Sequence, residues 1–176
     1  DSGTRKAGYI DNNAWSLAFT LAHQAHALTL GWQQIIGDEY FDYVHETAAI
    51  YLANSLLSDY NGPNERSAQL RYETDWGYFG VPGLSTAAWY AKGWGIDGTG
   101  YDGDRHGAHG DYADVRNMDG ERHHEYGLSA AYKLQGGQLK DSTFKLMLMD
   151  HKASAHQADG SVREVRLVST FPFNLL

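Results

Sequence analysis

Apolar and polar side chains alternate along seven stretches of this chain, and a period of two residues is typical of a β-strand with two different faces. The stretch SAQLRYETDWGYFG at 67–80 shows the pattern well: Leu70 and Tyr72 fall on one face, and Arg71 and Glu73 fall on the other. The alternation predicts strands at 14–23, 27–36, 66–78, 84–94, 123–134, 142–152 and 163–175. No segment has a convincing helical period, although TAAIYLANSLL at 47–57 fits a short helix as well as a strand. The predicted fold class is all-β and antiparallel.

The connections between the predicted strands alternate in length. Short connections lie at 24–26, 79–83 and 135–141, and long, polar connections rich in Gly and Asp lie at 37–65, 95–121 and 153–162. An antiparallel meander places every second connection on the same side, and outer-membrane barrels have short periplasmic turns and long extracellular loops. The pattern therefore favours a transmembrane β-barrel whose apolar face meets lipid and whose charged face lines water. A soluble β-sheet or β-barrel that binds a ligand is the alternative.

Composition adds three constraints. The chain has 20 Gly, 12 Tyr and 5 Trp but no Cys, which is typical of strands and turns and offers no disulfide framework. Its net charge of −8, with 14 scattered Lys and Arg residues, speaks against nucleic acid as a partner. Trp32, Trp76, Tyr78 and Trp94 lie at strand ends, where aromatic rings are expected at the lipid headgroups.

Several motifs, in this order along the chain, resemble the C-terminal part of one known family. They are AGYIDNNAWSLAF at 7–19, GDEYFDYV at 37–44, IYLANS at 50–55, QLRYETDWGYFGVPGL at 69–84, GIDGTG at 95–100, HHE at 123–125 and REVRLVSTFPFNLL at 163–176. Together they resemble the OprD-like outer-membrane carboxylate channels, a porin family of Gram-negative bacteria. The resemblance implies a barrel of about 18 strands in outer-membrane lipid, monomeric or weakly oligomeric. It also implies passive diffusion of small carboxylate-bearing solutes, such as amino acids or aromatic and cyclic carboxylates, without a cofactor.

The resemblance covers only the last seven strands of such a barrel. An open sheet edge in lipid leaves backbone N–H and C=O groups without partners, which costs several kcal/mol for each group. We therefore expect residues 1–176 to be a C-terminal segment of one barrel domain, without an internal boundary, whose N-terminal strands belong to a longer chain.

The candidate selectivity residues lie on the polar faces of the predicted strands. The basic candidates are Arg71, Lys145, Arg166 and Lys133, and the other candidates for lining the pore are Gln69, Glu73, Gln33 and Trp89. A guanidinium group matches a carboxylate in geometry, and a series of basic groups lowers the barrier for an anion without trapping it. The alternative for Arg71 is a wall-stabilising pair with Glu73 or Asp75.

Two positions depart from the pattern of the family. Trp89 and Met147 stand where the resemblance leads us to expect basic residues, and fewer basic residues imply a weaker selectivity for anions or amino acids. Trp89 could narrow the pore or stack on a ring-shaped solute, but packing is the commoner role of Trp.

The long connection after the second strand is predicted to form the pore mouth. It resembles the loop that folds inward in the family, and its apolar and aromatic content is unusual for a freely solvated loop. We expect it to place Tyr51, Leu52, Asn54 and Ser55 inside the barrel or on its rim.

Metal binding and catalysis are both disfavoured by the sequence. Asp102, Asp104, His106 and His109 share one loop, but their spacing matches neither a zinc cluster nor an EF-hand, so no metal is expected. His123 and His124 are expected at the barrel rim. No nucleophile elbow is present, and His151, the best candidate base, has Asp150 beside it in the chain but on the opposite strand face. The chain is predicted not to be an enzyme, with a membrane-barrel hydrolase as the less favoured alternative.

Overall fold

The computed structural model describes residues 12–41, 53–54, 56–101, 115–157 and 160–172, and these contain one seven-stranded sheet. The strands are β1 Asn13–His23, β2 His26–Ile36, β3 Arg66–Asp75, β4 Leu84–Asp97, β5 Asp119–Lys133, β6 Thr143–Ala153 and β7 Val162–Thr170. Each strand pairs antiparallel with the next in chain order. The predicted succession of seven strands is confirmed.

Within these ranges, no helix has both the length and the apolar character needed to cross a membrane.

The third strand ends earlier than predicted, because Asp75 starts a turn. The Asp75 carboxylate accepts the backbone N–H of Gly77 at 2.8 Å, and Trp76–Phe79 forms one 3₁₀ turn that ends at Gly80. Gly80 has φ of 89°, a left-handed conformation that glycine adopts without strain. The prediction of strand through residue 78 was therefore wrong for its last three residues.

The fourth and fifth strands extend further than predicted. Their pairing continues to Asp97 and Asp119, through register shifts that follow Trp94 and Ile96. An irregular register breaks the alternation of side chains. The two-residue period therefore ends at Trp94 although the strand continues.

The two faces of the sheet differ as the sequence pattern predicted. The outer face carries large apolar side chains that are widely exposed, such as Leu17 at 67% and Leu128 at 58%. The inner face carries polar side chains, and several of them, including Gln33 and Glu125, are fully buried. This distribution is inverted relative to a water-soluble sheet, whose polar face meets solvent.

Aromatic side chains mark both ends of the outer face. Trp32 and Trp94 pack edge to face with ring centroids 5.5 Å apart near the long loops. Tyr78 and Phe79 pack edge to face at 5.1 Å in the short connection at the opposite end. Amphipathic rings at both ends of an apolar band are typical of strands that cross a membrane.

Candidate functional site: the inner face and its loop

Three cross-strand rows of inner-face residues form the candidate site. Counted from the end with the long loops, the upper row is Gln33, Ser67, Gly93 and His123, the middle row is Gly31, Gln69, Ala91 and Glu125, and the lower row is Thr29, Arg71, Trp89 and Gly127. Residues 53–54 and 56–65, here called the inner loop, contact the upper and middle rows. Relative to the described part of the loop, the lower row therefore holds the first inner-face side chains beyond it.

Glu125 attaches the inner loop to the wall. Its Oε2 accepts the backbone N–H groups of Leu57 at 3.0 Å and Ser58 at 3.2 Å, and its Oε1 accepts the indole N–H of Trp89 at 2.8 Å. A buried carboxylate is costly unless such donors satisfy it. Glu125 therefore fixes the loop and the indole ring relative to each other.

Gln33 provides a second attachment. Its side-chain oxygen accepts the backbone N–H of Asn54 at 3.0 Å, and its side-chain amide donates to the carbonyl of Tyr60 at 2.8 Å. On the neighbouring strand β1, the Ser16 hydroxyl accepts the backbone N–H of Ala53 at a distance of 3.2 Å. The inner loop is thus held by wall side chains that bond to its backbone.

Asn54 lies where the sequence predicted the pore-mouth loop. Its side chain is buried on the inner face and donates to the Ser67 hydroxyl at 2.9 Å. Gln69 donates to the carbonyl of Ala53 at 3.5 Å. Gln33 and Gln69 thus lie on the inner face, where the inner loop covers both, and their role in lining the pore stays a prediction. Tyr51, Leu52 and Ser55 lie outside the described residues.

A buried hydrogen-bonded chain joins the inner loop to the connection between β6 and β7. His123 Nε2 lies 2.6 Å from the Glu65 carboxylate, His123 Nδ1 lies 2.8 Å from His151 Nε2, and His151 Nδ1 lies 2.7 Å from the Gly160 carbonyl. A carbonyl only accepts, so His151 donates from Nδ1 to Gly160. The contacts of the two histidine rings thus join Glu65 of the inner loop to Gly160 through one continuous chain.

The expectation that His123 lies at the rim was wrong, because its side chain is buried under the inner loop. The Ser58 hydroxyl lies 3.3 Å from His123 Nδ1, so Ser58, His123 and Glu65 form a contiguous serine, histidine and acid. Yet Ser58 and His151 are both buried, and His151 occupies the same His123 nitrogen. This arrangement favours a structural role over nucleophilic catalysis, which needs access for a substrate.

Arg71 lies in the lower row between an aromatic ring and a carboxylate. Its guanidinium carbon is 5.5 Å from the Trp89 ring centroid, and Nη2 is 2.8 Å from the Glu73 carboxylate. The wall-stabilising pair with Glu73 is therefore present. The Arg71 side chain is still 26% exposed, whereas Trp89 is buried beneath it. Trp89 thus supports the guanidinium by a cation–π contact.

The other basic candidates lie closer to the short turns. Lys145 is on the inner face and lines a cavity of about 390 Å³ with Arg71 and Glu73. Arg166 faces inward beside Met147 and pairs with Glu164.

Lys133 lies at the end of β5, where its ammonium group is 2.9 Å from the Asp141 carboxylate. The hydrogen bond from Lys133 holds the pKa of Asp141 below its ordinary value. Lys133 is therefore placed at the turn end of the inner face and is already paired.

The metal candidates of the sequence, Asp102, Asp104, His106 and His109, fall outside the described residues. Among the residues that the structure does describe, no three His, Asp or Glu side chains are arranged to hold a metal ion.

Two glycines of the inner face, Gly93 and Gly127, indicate close packing at the site, which the alternation of apolar and polar residues does not show. A Cβ atom on Gly93 would clash with the Glu65 carboxylate and the His123 ring, and a Cβ on Gly127 would clash with the Trp89 ring. A glycine inside a strand marks the close approach of another group. These positions thus pointed to bulky partners across the inner face.

Comparison with known proteins agrees with this architecture. The family described as outer membrane porin, OprD family, matches residues 1–175. Porin D of Pseudomonas aeruginosa is 38% identical over 185 residues, which cover 100% of this chain and 41% of that protein. Porin-like protein GalP of Pseudomonas putida is 26% identical over 181 residues. The match covers 100% of this chain and 38% of that protein.

Solved structures give the same result. The crystal structure of Pseudomonas aeruginosa OccD3 (OpdP) is 73% identical with a TM-score of 0.92 and covers 100% of this chain and 43% of that chain. The crystal structure of OprD from the same organism is 39% identical with a TM-score of 0.85. The match covers 96% of this chain and 43% of that chain. The chain thus spans about two fifths of the length of these relatives. The expected porin-barrel fold and outer-membrane location are confirmed, and the chain belongs to the OprD family of outer-membrane porins.

Proposed function

We propose that this chain forms part of the wall of a pore through which small carboxylate-bearing solutes diffuse across the outer membrane. The observation that carries the proposal is the position of Arg71, which among the described residues is the first basic side chain of the inner face beyond the inner loop. A solute that passes the loop would meet this guanidinium group next. We further propose that the complete barrel is monomeric and works without a cofactor.

The chemistry of the inner face supports a carboxylate as cargo. Arg71 on β3, Lys145 on β6 and Arg166 on β7 place cationic groups on the same inner face. The pairs with Glu73 and Glu164 reduce the net attraction, so an anion would be attracted without being held tightly. Such exposed or half-exposed contacts are each worth about 1 kcal/mol or less.

Trp89 has a positioning role in this proposal. It is buried between Arg71 and Glu125, so its ring supports the guanidinium group and is not itself open to solute. A cationic group held over an aromatic ring has fewer accessible orientations. At a position where the resemblance leads us to expect a basic residue, Trp89 therefore acts by fixing the guanidinium group of Arg71.

The alternatives are less well supported. A soluble ligand-binding sheet does not fit an outer face with widely exposed Leu17, Phe19 and Val165. A hydrolase does not fit the buried hydroxyl of Ser58.

The test is single-channel current in a planar bilayer, with the complete porin that contains this chain. We expect discrete conductance that benzoate or arginine blocks, and Arg71→Ala should weaken block by benzoate about fivefold, equivalent to about 1 kcal/mol. Arg163→Ala is the matched control, because Arg163 pairs with Asp150 on the outer face. A folded protein without current, or equal block in both variants, would refute the proposal.

A further inference from the structure

Four basic side chains form a patch on the outer face at the end with the long loops. This basic patch consists of Arg66, Lys92, Arg122 and Lys152. Arg66 and Arg122 flank Trp94 in one cross-strand row, and Lys92 and Lys152 flank His124 in the next. The patch therefore spans four adjacent strands on the face that carries the apolar band.

The concentration of charge is unusual for this chain. The patch takes four of the 14 Lys and Arg residues of a chain whose net charge is −8. The outward positions just below it are Tyr90 and Tyr126, whose rings lie 4.8 Å apart, followed by Leu128. The basic groups thus lie among the aromatic side chains that bound the apolar band, at the expected level of lipid headgroups.

Most of this charge is available to a ligand. Among the residues that the structure describes, Arg66, Lys92 and Arg122 form no ion pair, and Lys152 has a 3.2 Å contact with Asp150. Asp150 is also bound by Arg163 at 2.8 Å, so its charge is shared. A depression of about 220 Å³ between the side chains is lined by Lys92, Arg122, His124, Lys152 and Ser154.

We infer that the basic patch binds the phosphate groups of an anionic glycolipid in the outer leaflet. Long loops of outer-membrane barrels face the cell exterior, so the patch faces that leaflet. Cations beside hydrocarbon are costly unless they reach anionic headgroups. Basic residues two strands apart in one row are separated by about 10 Å, which suits a headgroup with more than one phosphate. Arginine forks and lysine ammonium groups are both suited to phosphate oxygens.

The experiment measures binding of lipopolysaccharide to the complete porin in detergent micelles. Lys92→Gln should weaken binding about fivefold, and the double variant Lys92→Gln with Arg122→Gln should weaken it about 25-fold. The reason is that each basic residue near an anionic membrane surface contributes a similar increment of binding free energy. Lys140→Gln is the matched control, since Lys140 lies in the exposed turn at the opposite end. This control should bind like the wild type.

Chemically dephosphorylated lipopolysaccharide should bind the wild type at least tenfold more weakly, and binding should weaken as salt rises. Inorganic phosphate at millimolar concentration should not displace lipopolysaccharide; if it does, the patch is a simple anion site and the glycolipid assignment fails. Equal binding by wild type and the double variant, or by phosphorylated and dephosphorylated lipid, would also overturn the inference. Heat-modifiable migration in gels confirms that each variant is folded, and the lipid comparison on the wild type needs no variant.

Discussion

At the scale of single residues, Glu125 joins parts of the chain that are far apart in sequence. Its two oxygens accept hydrogen bonds from Trp89 on β4 and from Leu57 and Ser58 in the inner loop. Removing one partner of a buried, charge-assisted network leaves the remaining groups unsatisfied. The loop and the support of Arg71 should therefore respond together to a change at this residue.

Replacing Glu125 by Gln tests this coupling. The amide nitrogen of Gln cannot accept a hydrogen bond, so one set of contacts is lost and the free energy of unfolding should fall by about 1–3 kcal/mol. In the complete porin, hydrogen exchange should accelerate at least tenfold either at the amides of Leu57 and Ser58 or at the Trp89 indole N–H, according to which contacts the Gln oxygen keeps. Glu164→Gln is the control, because this carboxylate pairs with Arg166 instead of the loop. Unchanged protection at all three N–H groups would contradict the assigned role.

Gly93 offers a second test at this scale. Gly93→Ala places a methyl group against the contact between Glu65 and His123, so the inner loop or the histidine ring must shift. We expect a loss of about 1–3 kcal/mol in unfolding free energy from overpacking, measured by denaturant titration. Gly136→Ala is the control, because a Cβ atom there meets open space. If both variants lose equal stability, the close packing at Gly93 is not the cause.

Asp141 gives a prediction for pH. Its hydrogen bond from Lys133 lowers the pKa of the carboxyl group in the folded state. The pair therefore contributes stability above the ordinary pKa of Asp, and this contribution is lost as pH falls through the lowered pKa. Lys133→Gln should raise the pKa of Asp141 toward its ordinary value, as followed by carboxyl NMR titration. A titration curve that does not move would show that the ion pair does not form in solution.

At the scale of elements, side-chain alternation was sufficient to predict the seven strands and their two faces. It identified the outer positions of Leu17 and Leu128 and the inner position of Arg71, because each face of these strands meets one environment throughout. It failed where the backbone departs from regular pairing. The Asp75 turn and the register shifts after Trp94 depend on local hydrogen bonds that the period does not record.

The inner loop could be predicted only in outline. Its apolar content indicated that it packs against something, and the buried position of Asn54 agrees with a location inside the barrel. The partners could not be predicted, since Glu65 and His123 are 58 positions apart and their contact depends on the folded path of the loop. Alternation assigns His123 to a face but does not indicate which inner positions a loop will cover.

At the scale of the whole molecule, the sheet is open. Within the described residues, β1 and β7 each pair with one neighbouring strand only. Their free edges would leave backbone N–H and C=O groups unsatisfied in lipid, at several kcal/mol for each group. Further strands of the same porin would satisfy them.

A comparison of this 176-residue chain with the complete porin tests whether the seven strands need further strands to form a pore. We expect the isolated chain to give no discrete conductance in planar bilayers and no heat-modifiable band in gels, whereas the complete porin gives both. Stable, uniform channels formed by the isolated chain would show that these strands can close by self-association.

The way in which the inner loop is held has a consequence for how such pores diversify. Ser16, Gln33 and Glu125 hold the loop by bonding to its backbone atoms at Ala53, Asn54, Leu57, Ser58 and Tyr60. Every amino acid except proline offers the same backbone N–H and C=O groups. Many of the loop's side chains can therefore change in evolution or by design while the wall keeps the loop on its path, so a new selectivity can arise without a new fold.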